Sequence, residues 1–195
     1  MSHADILTKP VYELIPEGNF TVLDVACGFG DWGYFIKTRK KGNYILTGIE
    51  VWKPYLERLS RVRIYDELIE VDLRYYSLKK RYDLILACEI LEHLRKDEGY
   101  ELLDKLESAC DVRIIVTTPY GYTHQDALDG NDFQRHLSSW DPKDLKSRGY
   151  KIKVIRQPLR PKRIPKRIIN SIIGKPYEEF IVAHKNMMKI NLSNA

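Results

Sequence analysis

The stretch Val22-Leu-Asp-Val-Ala-Cys-Gly-Phe-Gly-Asp31 decides the fold. An apolar run typical of a buried strand leads into two closely spaced glycines, and the pattern of a helix follows them. Glycine has no Cβ, so a ligand can approach the backbone of such a turn closely. Gly28, Gly30 and Gly33 also satisfy G-x-G-x-x-G, and Glu50 ends the next apolar run. A dinucleotide site is therefore one interpretation to be tested.

Two carboxylates argue against a dinucleotide. Its pyrophosphate would lie at the helix N-terminus, where free N–H groups favour negative charge. Asp31 already occupies that place, either as a helix N-cap or as a ligand group, and Asp24 adds a second negative charge within the strand. These charges repel phosphate and attract a cation. The turn therefore predicts a cationic ligand.

Apolar runs with the character of strands recur along the chain, with helical patterns between them. The first five are nearly continuous in apolar residues, which is typical of parallel strands covered on both faces. They are 20–26, 44–50, 68–72, 82–88 and 112–118, followed by two further runs at 150–157 and 177–185. Helices are predicted at 31–39, 54–63 and 96–109, with a covering helix in the first dozen residues and another opened by Asp141-Pro142. We predict an α/β fold with an open, doubly wound, mostly parallel sheet of seven strands, the last antiparallel.

Length and composition bound the classes of protein. A chain of 195 residues with 44% hydrophobic residues predicts one domain, residues 1–195, and no run is long and apolar enough for a transmembrane helix. The first residues lack the pattern of a secretory signal, so we expect a cytoplasmic protein. The net charge of +5 permits a nucleic-acid partner but does not favour one. The sequence does not indicate an oligomeric state.

Over residues 20–157 the chain resembles the class I superfamily of S-adenosylmethionine-dependent methyltransferases. Asp24-Val-Ala-Cys-Gly28-Phe-Gly30 is similar to its first motif, Glu50 to the acid that grips the ribose, and Asp72-Leu73 to the pair at the adenine edge. The segment Ala87-Cys88-Glu89 is similar to the one that lines the cofactor after strand four. The resemblance implies S-adenosylmethionine as donor and S-adenosylhomocysteine as product. It implies cofactor contacts from Asp24, Ala26, Cys27, Gly28, Gly30, Glu50, Val51, Asp72, Leu73, Cys88 and Glu89.

The sequence Glu89-Ile-Leu-Glu92-His93 offers chemistry after strand four. If it were one helical turn, Glu89, Glu92 and His93 would share a face. This E-x-x-E-H motif resembles that of two metal-using branches of the superfamily, the ubiquinone-pathway O-methyltransferases and the enzymes that 2′-O-methylate RNA 3′ ends. His136 also lies four residues before Trp140, as a histidine does in the RNA branch. In many metal-free methyltransferases, however, L-E-H-L only holds the loop. Both alternatives stay open: we assign His136 and His93 as catalytic candidates and assign no metal.

The segment 119–140 is long for a connection within a compact domain, so we predict a lid that forms the acceptor pocket over the donor's methyl group. Its polar and aromatic residues Tyr120, Gln125, Asn131, Gln134 and Trp140 would orient a hydroxylated small molecule; the alternative is an ordered lid that only packs on itself. A basic helical insert is predicted at 158–176, which would cover the sheet, make weak contact with a membrane surface or touch RNA. The predicted activity is O-methylation of a small acceptor. The alternatives are a metal-assisted RNA 2′-O-methyltransferase and a non-catalytic S-adenosylmethionine-binding module.

Overall fold

A twisted sheet of seven strands organises the protein, which a computed structural model describes over residues 4–128, 130–158 and 177–187. The strands are β1 (Phe20–Val25), β2 (Tyr44–Glu50), β3 (Glu67–Glu70), β4 (Tyr82–Cys88), β5 (Cys110–Pro119), β6 (Lys151–Pro158) and β7 (Tyr177–Asn186). The helices are α1 (Ala4–Leu14), α2 (Asp31–Arg39), α3 (Lys53–Val62), α4 (Lys96–Ala109) and α5 (Pro142–Lys146). Short 3₁₀ turns lie at Leu91–His93 and Asp132–Gln134.

The strand order is β3-β2-β1-β4-β5-β7-β6. Strands β1 to β5 pair in parallel, and β7 is antiparallel to both of its neighbours, β5 and β6. The predicted mostly parallel seven-strand sheet with an antiparallel last strand is confirmed. The chain moves outward from β1 to β3 and then returns to place β4 on the other side of β1. Ligands of open α/β sheets bind at the carboxyl ends of the strands beside such a reversal.

The central strands are apolar along their length because both of their faces are covered. In β4, Ile85 and Ala87 pack on one face against Leu102, Leu103 and Leu106 of α4. The alternate residues of the strand, Leu84 and Leu86, lie on the opposite face. They belong to a cluster that also holds Leu7 and Val11 of α1, Ile15 just after α1, and Ile36 of α2. This two-sided burial is the physical reason for the continuous apolar pattern.

Two details of the predicted elements are wrong. Strand β3 ends at Glu70 rather than at residue 72, so Asp72 lies beyond the strand. Asp31 is not the N-cap of α2: Gly30 occupies that position with a left-handed φ of 81°, and Asp31 is the first helical residue. The Asp31 carboxylate still lies in the first turn, where it complements the helix dipole without capping.

The predicted basic insert at 158–176 lies outside the described residues, except for Pro158 at the end of β6. Among the residues that the structure describes, no helix combines the length and apolarity needed to cross a bilayer.

Candidate active site at the carboxyl edge of the sheet

A cleft of about 250 Å³ opens at the carboxyl ends of β1 and β2. Segments that follow four strands and the long connection after β5 form its wall. The lining residues are Ala26, Glu50, Val51, Val71, Asp72, Leu73, Arg74, Ile90, His93, Leu94, Asp132, Phe133 and Leu137. The segment 119–140 contributes Asp132, Phe133 and Leu137 to this wall.

The three glycines of the G-x-G-x-x-G pattern have different roles. A Cβ on Gly28, which has a φ of +53°, would meet nothing nearer than 3.9 Å, so this residue leaves room for a ligand. A Cβ on Gly30 would lie 2.5 Å from Leu59 Cδ2, and one on Gly33 would lie 2.6 Å from Tyr65 Cζ. Gly30 and Gly33 thus allow close packing under the turn. In a dinucleotide motif the second glycine leaves room for the pyrophosphate and the third serves packing, so it is the packing role of Gly30 that weakens the dinucleotide interpretation further.

Glu50 ties the end of β2 to the glycine turn. One carboxylate oxygen accepts from the Gly28 N–H at 3.0 Å, and the other accepts from the N–H groups of Val51 at 2.9 Å and Trp52 at 2.8 Å. Burial raises the pKa of Glu50, and the three backbone donors act against that rise. The carboxylate is thus held in a fixed orientation on the wall of the cleft, where it can accept further hydrogen bonds from a ligand's hydroxyls.

Asp24 lies beneath the turn and does not line the cleft. Its carboxylate is buried and accepts a hydrogen bond from the Tyr65 hydroxyl at 2.5 Å. Burial raises the pKa of Asp24 to about 7, and the Tyr65 hydroxyl lowers it. Sequence reasoning missed Tyr65, because it lies in a polar connection between α3 and β3 where no periodic pattern marks it.

Asp72 faces the cleft, but Arg74 already engages its carboxylate. The Arg74 guanidinium donates from Nη2 at 2.6 Å and from Nε at 3.1 Å, and the Arg74 backbone N–H donates at 3.0 Å. This pairing lowers the pKa of Asp72. Arg74 itself lines the cleft and was not among the predicted residues. The sequence offered a signal for it in the short D-x-R spacing, which allows a side chain to fold back on its neighbour.

Left-handed backbone occurs at two non-glycine residues at this edge. Ala26 and Glu89, which follow the adjacent strands β1 and β4, both have a φ of 54°. Strain of this kind is concentrated at functional sites. The conformation of Glu89 corrects the prediction that Glu89, Glu92 and His93 share a face of one helical turn, since only Leu91–His93 forms a 3₁₀ turn.

Glu89 and Glu92 each bind a threonine of β5. Glu89 accepts from the Thr117 hydroxyl at 2.9 Å, and Glu92 accepts from the Thr118 hydroxyl at 2.9 Å. Burial raises the pKa of Glu89 to about 7 and that of Glu92 well above its usual range. The Glu92 backbone carbonyl also accepts from the N–H groups of Leu137 and Ser138. This segment therefore fastens the lid to the sheet, whatever further chemistry it performs.

Three potential ligand groups converge beside the cleft. One side-chain oxygen or nitrogen each from Glu92, His93 and His136 lies within 4.8 Å of the other two. The rings of His93 and His136 meet edge to face, with their centroids 4.9 Å apart. Glu89 is not part of this group.

Both imidazoles of this cluster point Nδ1 at a backbone carbonyl. His93 Nδ1 lies 3.2 Å from the Arg135 oxygen, and His136 Nδ1 lies 2.6 Å from the Thr123 oxygen. A carbonyl can only accept, so Nδ1 carries the proton in both rings and Nε2 keeps the lone pair of the neutral form. Burial lowers the pKa of His93 to about 4, which keeps that ring neutral at physiological pH.

The polar residues of the lid mostly hold its shape, and none of the five predicted acceptor contacts lines the cleft. Trp140 is buried against α4, where its ring leaves no room for a Cβ on Gly99, and its Nε1 donates to Ser138. The buried Asn131 caps the 3₁₀ turn by accepting from the Phe133 N–H. The lid residues that do reach the cleft are Asp132, Phe133 and Leu137.

Six of the predicted site residues line the cleft together: Ala26, Glu50, Val51, Asp72, Leu73 and His93. The others lie beneath or beside it, namely Asp24, Cys27, Gly28, Gly30, Cys88, Glu89 and His136. Cys27 and Cys88 are buried free thiols whose pKa values burial raises, so they are unreactive fillers of the floor.

No family model and no curated protein sequence matches the chain. Solved structures do match its fold. The complex of DhpI with S-adenosylhomocysteine is 14% identical with a TM-score of 0.62, and the match covers 93% of this chain and 85% of that one. A putative methyltransferase from Bacillus halodurans is 13% identical with a TM-score of 0.66, covering 95% and 100%. Coclaurine N-methyltransferase, bound to N-methylheliamine and S-adenosylhomocysteine, is 18% identical with a TM-score of 0.59, covering 93% and 70%. With its 3-2-1-4-5-7-6 sheet and antiparallel seventh strand, the chain has the fold of the class I S-adenosylmethionine-dependent methyltransferases.

Proposed function

We propose that the protein is an S-adenosylmethionine-dependent methyltransferase that methylates a small hydroxylated acceptor at oxygen. The observation that carries the proposal is the anchored carboxylate of Glu50, which joins the wall of the cleft to the glycine turn through Gly28. A carboxylate in that place suits the two hydroxyls of a ribose, which are hydrogen-bond donors. The similar structures that hold S-adenosylhomocysteine support the choice of cofactor.

The charge around the turn supports the methyl donor over a dinucleotide. Asp24, Asp31 and Glu50 are all acidic and surround the entrance to α2. The negative charge of these groups would repel a pyrophosphate placed there, whereas it would attract the ammonium and sulfonium of S-adenosylmethionine. S-adenosylmethionine therefore suits the site better than NAD.

Methyl transfer is an in-line displacement at a carbon that already carries a good leaving group, so positioning can supply most of the rate enhancement. In the proposed reaction, the cleft holds the donor and excludes water. A neutral imidazole accepts the proton of the acceptor hydroxyl through Nε2. His136 is the proposed base, because the low pKa of His93 makes that ring a weak proton acceptor.

A metal-assisted variant is the second candidate, and the cluster of Glu92, His93 and His136 favours it. Histidine ligands of metals usually donate their other N–H to a carbonyl or carboxylate, as both rings do here. Two imidazoles and a carboxylate would suit a divalent ion, which would polarise a hydroxyl of the acceptor when bound. An RNA 2′-O-methyltransferase is the activity proposed for this variant.

Chelation separates the two candidates. We expect methyl transfer to survive exhaustive treatment with EDTA, because the proposed base needs no ion. Loss of activity that Mn²⁺ or Mg²⁺ restores, together with RNA binding that weakens steeply with salt, would establish the metal-assisted candidate instead.

The proposed function is tested in two steps. Calorimetry should show binding of S-adenosylmethionine and S-adenosylhomocysteine and no comparable binding of NAD. Methyl-labelled donor is then incubated with cell extract, and the products are separated into small molecules, lipids, RNA and protein. Label in the small-molecule fraction supports the proposal. Tight binding of NAD would refute it, and donor binding without a product from any pool would indicate a non-catalytic binding module.

A further inference from the structure

We propose that Tyr65 is a positioning residue for the donor: its hydroxyl holds the Asp24 carboxylate beneath the glycine turn, where that charge attracts the cationic methionine end of S-adenosylmethionine. The inference rests on the proposed function and deepens it, because it assigns a charge-controlling role to a residue outside the cleft. Tyr65 acts through Asp24 and has no assigned contact with the ligand.

Three glycines form a socket for the Tyr65 ring, and each lies on a different element. A Cβ on Gly33 of α2 would lie 2.6 Å from Tyr65 Cζ, and one on Gly48 of β2 would lie 3.0 Å from Cδ1. A Cβ on Gly30, in the turn, would lie 3.3 Å from Cε2. Side chains are thus missing at three separate positions around one aromatic ring. The packing fixes the place of the ring and directs its hydroxyl to Asp24.

Asp24 is 2% exposed, so its negative charge is costly unless a neighbour stabilises it. The groups that face it come from every element around it: Tyr65 from the α3–β3 connection, Glu50 from β2, Asp31 and the Gly33 N–H from α2, Cys27 from the turn, and Cys88 from β4. The two charged side chains in this set, Glu50 and Asp31, are carboxylates and oppose the ionisation of Asp24. Among these side chains, the Tyr65 hydroxyl is the donor to the Asp24 carboxylate.

This arrangement has a definite pH dependence. Burial raises the pKa of Asp24 to about 7, so the carboxyl is mostly neutral below that pH and ionised above it. A bound cation favours the ionised form, so the affinity for a cationic ligand should rise as the pH rises through about 7. The Tyr65 hydroxyl lowers this pKa. Its removal should therefore move the rise in affinity to higher pH.

The test measures binding by calorimetry between about pH 5.5 and 7.5. The donor's own α-amine begins to lose its proton near the upper limit, but this loss is the same for every protein and cancels when the proteins are compared. The ligands are S-adenosylmethionine and 5′-methylthioadenosine, a nucleoside that lacks both the sulfonium and the ammonium. The four proteins are the wild type, Tyr65→Phe, Asp24→Asn and the variant that combines both substitutions. Phenylalanine keeps the ring in its socket, and melting temperatures confirm that each variant is folded.

For the wild type, we expect affinity for S-adenosylmethionine to rise several-fold across this range. Tyr65→Phe should bind S-adenosylmethionine about fivefold more weakly near pH 7, and its affinity should still be rising steeply at pH 7.5, because a midpoint about one pH unit higher lies above the measured range. Asp24→Asn should bind S-adenosylmethionine weakly, with an affinity that does not rise with pH in this way. Adding Tyr65→Phe to Asp24→Asn should change that affinity little. Binding of 5′-methylthioadenosine should be independent of pH and nearly equal in all four proteins.

Two results would overturn the inference while leaving the proposed function intact. One is a Tyr65→Phe variant that binds S-adenosylmethionine like the wild type at every pH. The other is an equal loss of affinity for both ligands, which indicates a merely structural role. Failure of the wild type to bind S-adenosylmethionine at any pH would overturn the proposed function and this inference with it.

Discussion

His136→Ala is expected to lower kcat about 100-fold or more, with the affinity for S-adenosylmethionine almost unchanged. His136 does not line the cleft but lies against His93, which does. Its Nδ1–H donates to the Thr123 carbonyl, so Nε2 is left as the basic atom. Removing the proposed base should slow the chemical step without disturbing the donor site. The measurement is single-turnover methyl transfer to the acceptor found in the extract experiment.

Two further variants show whether His136 acts as the base or only supports the structure of the lid. His136→Asn keeps an N–H that can donate to Thr123 and removes the basic nitrogen, so it should be as inactive as His136→Ala but more stable. His124→Ala is the matched control, since His124 lies in the same lid and pairs with Asp126 at the exposed surface. It should keep full activity. An active His136→Asn would show that His136 only supports the lid.

Glu50→Ala is expected to weaken the binding of S-adenosylmethionine about 30-fold or more. Two charged hydrogen bonds to a ribose contribute roughly 2–4 kcal/mol. The substitution also leaves the N–H groups of Gly28, Val51 and Trp52 without their carboxylate acceptor, so the turn loses its fixed orientation. Calorimetry with the donor and its demethylated product measures the effect.

Glu70→Ala is the matched control for this prediction. Glu70 pairs in register with Glu50 on the neighbouring strand β3 but is exposed and does not line the cleft. It should bind the donor normally. The affinity of Glu50→Gln for the donor should lie between those of Glu50→Ala and Glu70→Ala. The reason is that the NH₂ group of glutamine would face one of the backbone N–H groups from which the carboxylate accepts a hydrogen bond. Unaltered binding by Glu50→Ala would end the assignment of the ribose site.

The elements that sequence predicted best are those whose burial is decided locally. Continuous apolar runs such as 82–88 follow from coverage on both faces, and this pattern is visible residue by residue. The acidic residues at strand ends, such as Glu50, could be predicted for a second reason. Parallel strands bring their carboxyl ends to one edge of the sheet, where ligands bind. The part of the cleft that follows β1 and β2 was therefore predictable.

The remaining parts of the site depend on contacts between distant residues. Tyr65 meets Asp24 across 41 positions of the chain, and Trp140 fits Gly99 only because the lid folds back onto α4. A polar or aromatic residue in a connection looks the same in sequence whether it faces a ligand or supports the lid. The left-handed backbone at Glu89 also prevents the helical turn that the spacing of Glu89, Glu92 and His93 suggested. Glutamate does not favour this conformation, so the sequence gives no sign of it.

The position of β7 constrains how the chain folds. Strand β6 pairs with β7 and not with β5, so within the described residues it has no sheet neighbour until β7 is inserted between them. During synthesis, β1 to β5 can assemble first. The edge of β5 that later pairs with β7, and the whole of β6, then remain without a strand partner. Such edges are prone to aggregation. The sheet can therefore close only after residues 177–186 have been made, and until then the unpaired edges of β5 and β6 are open to pairing with other chains.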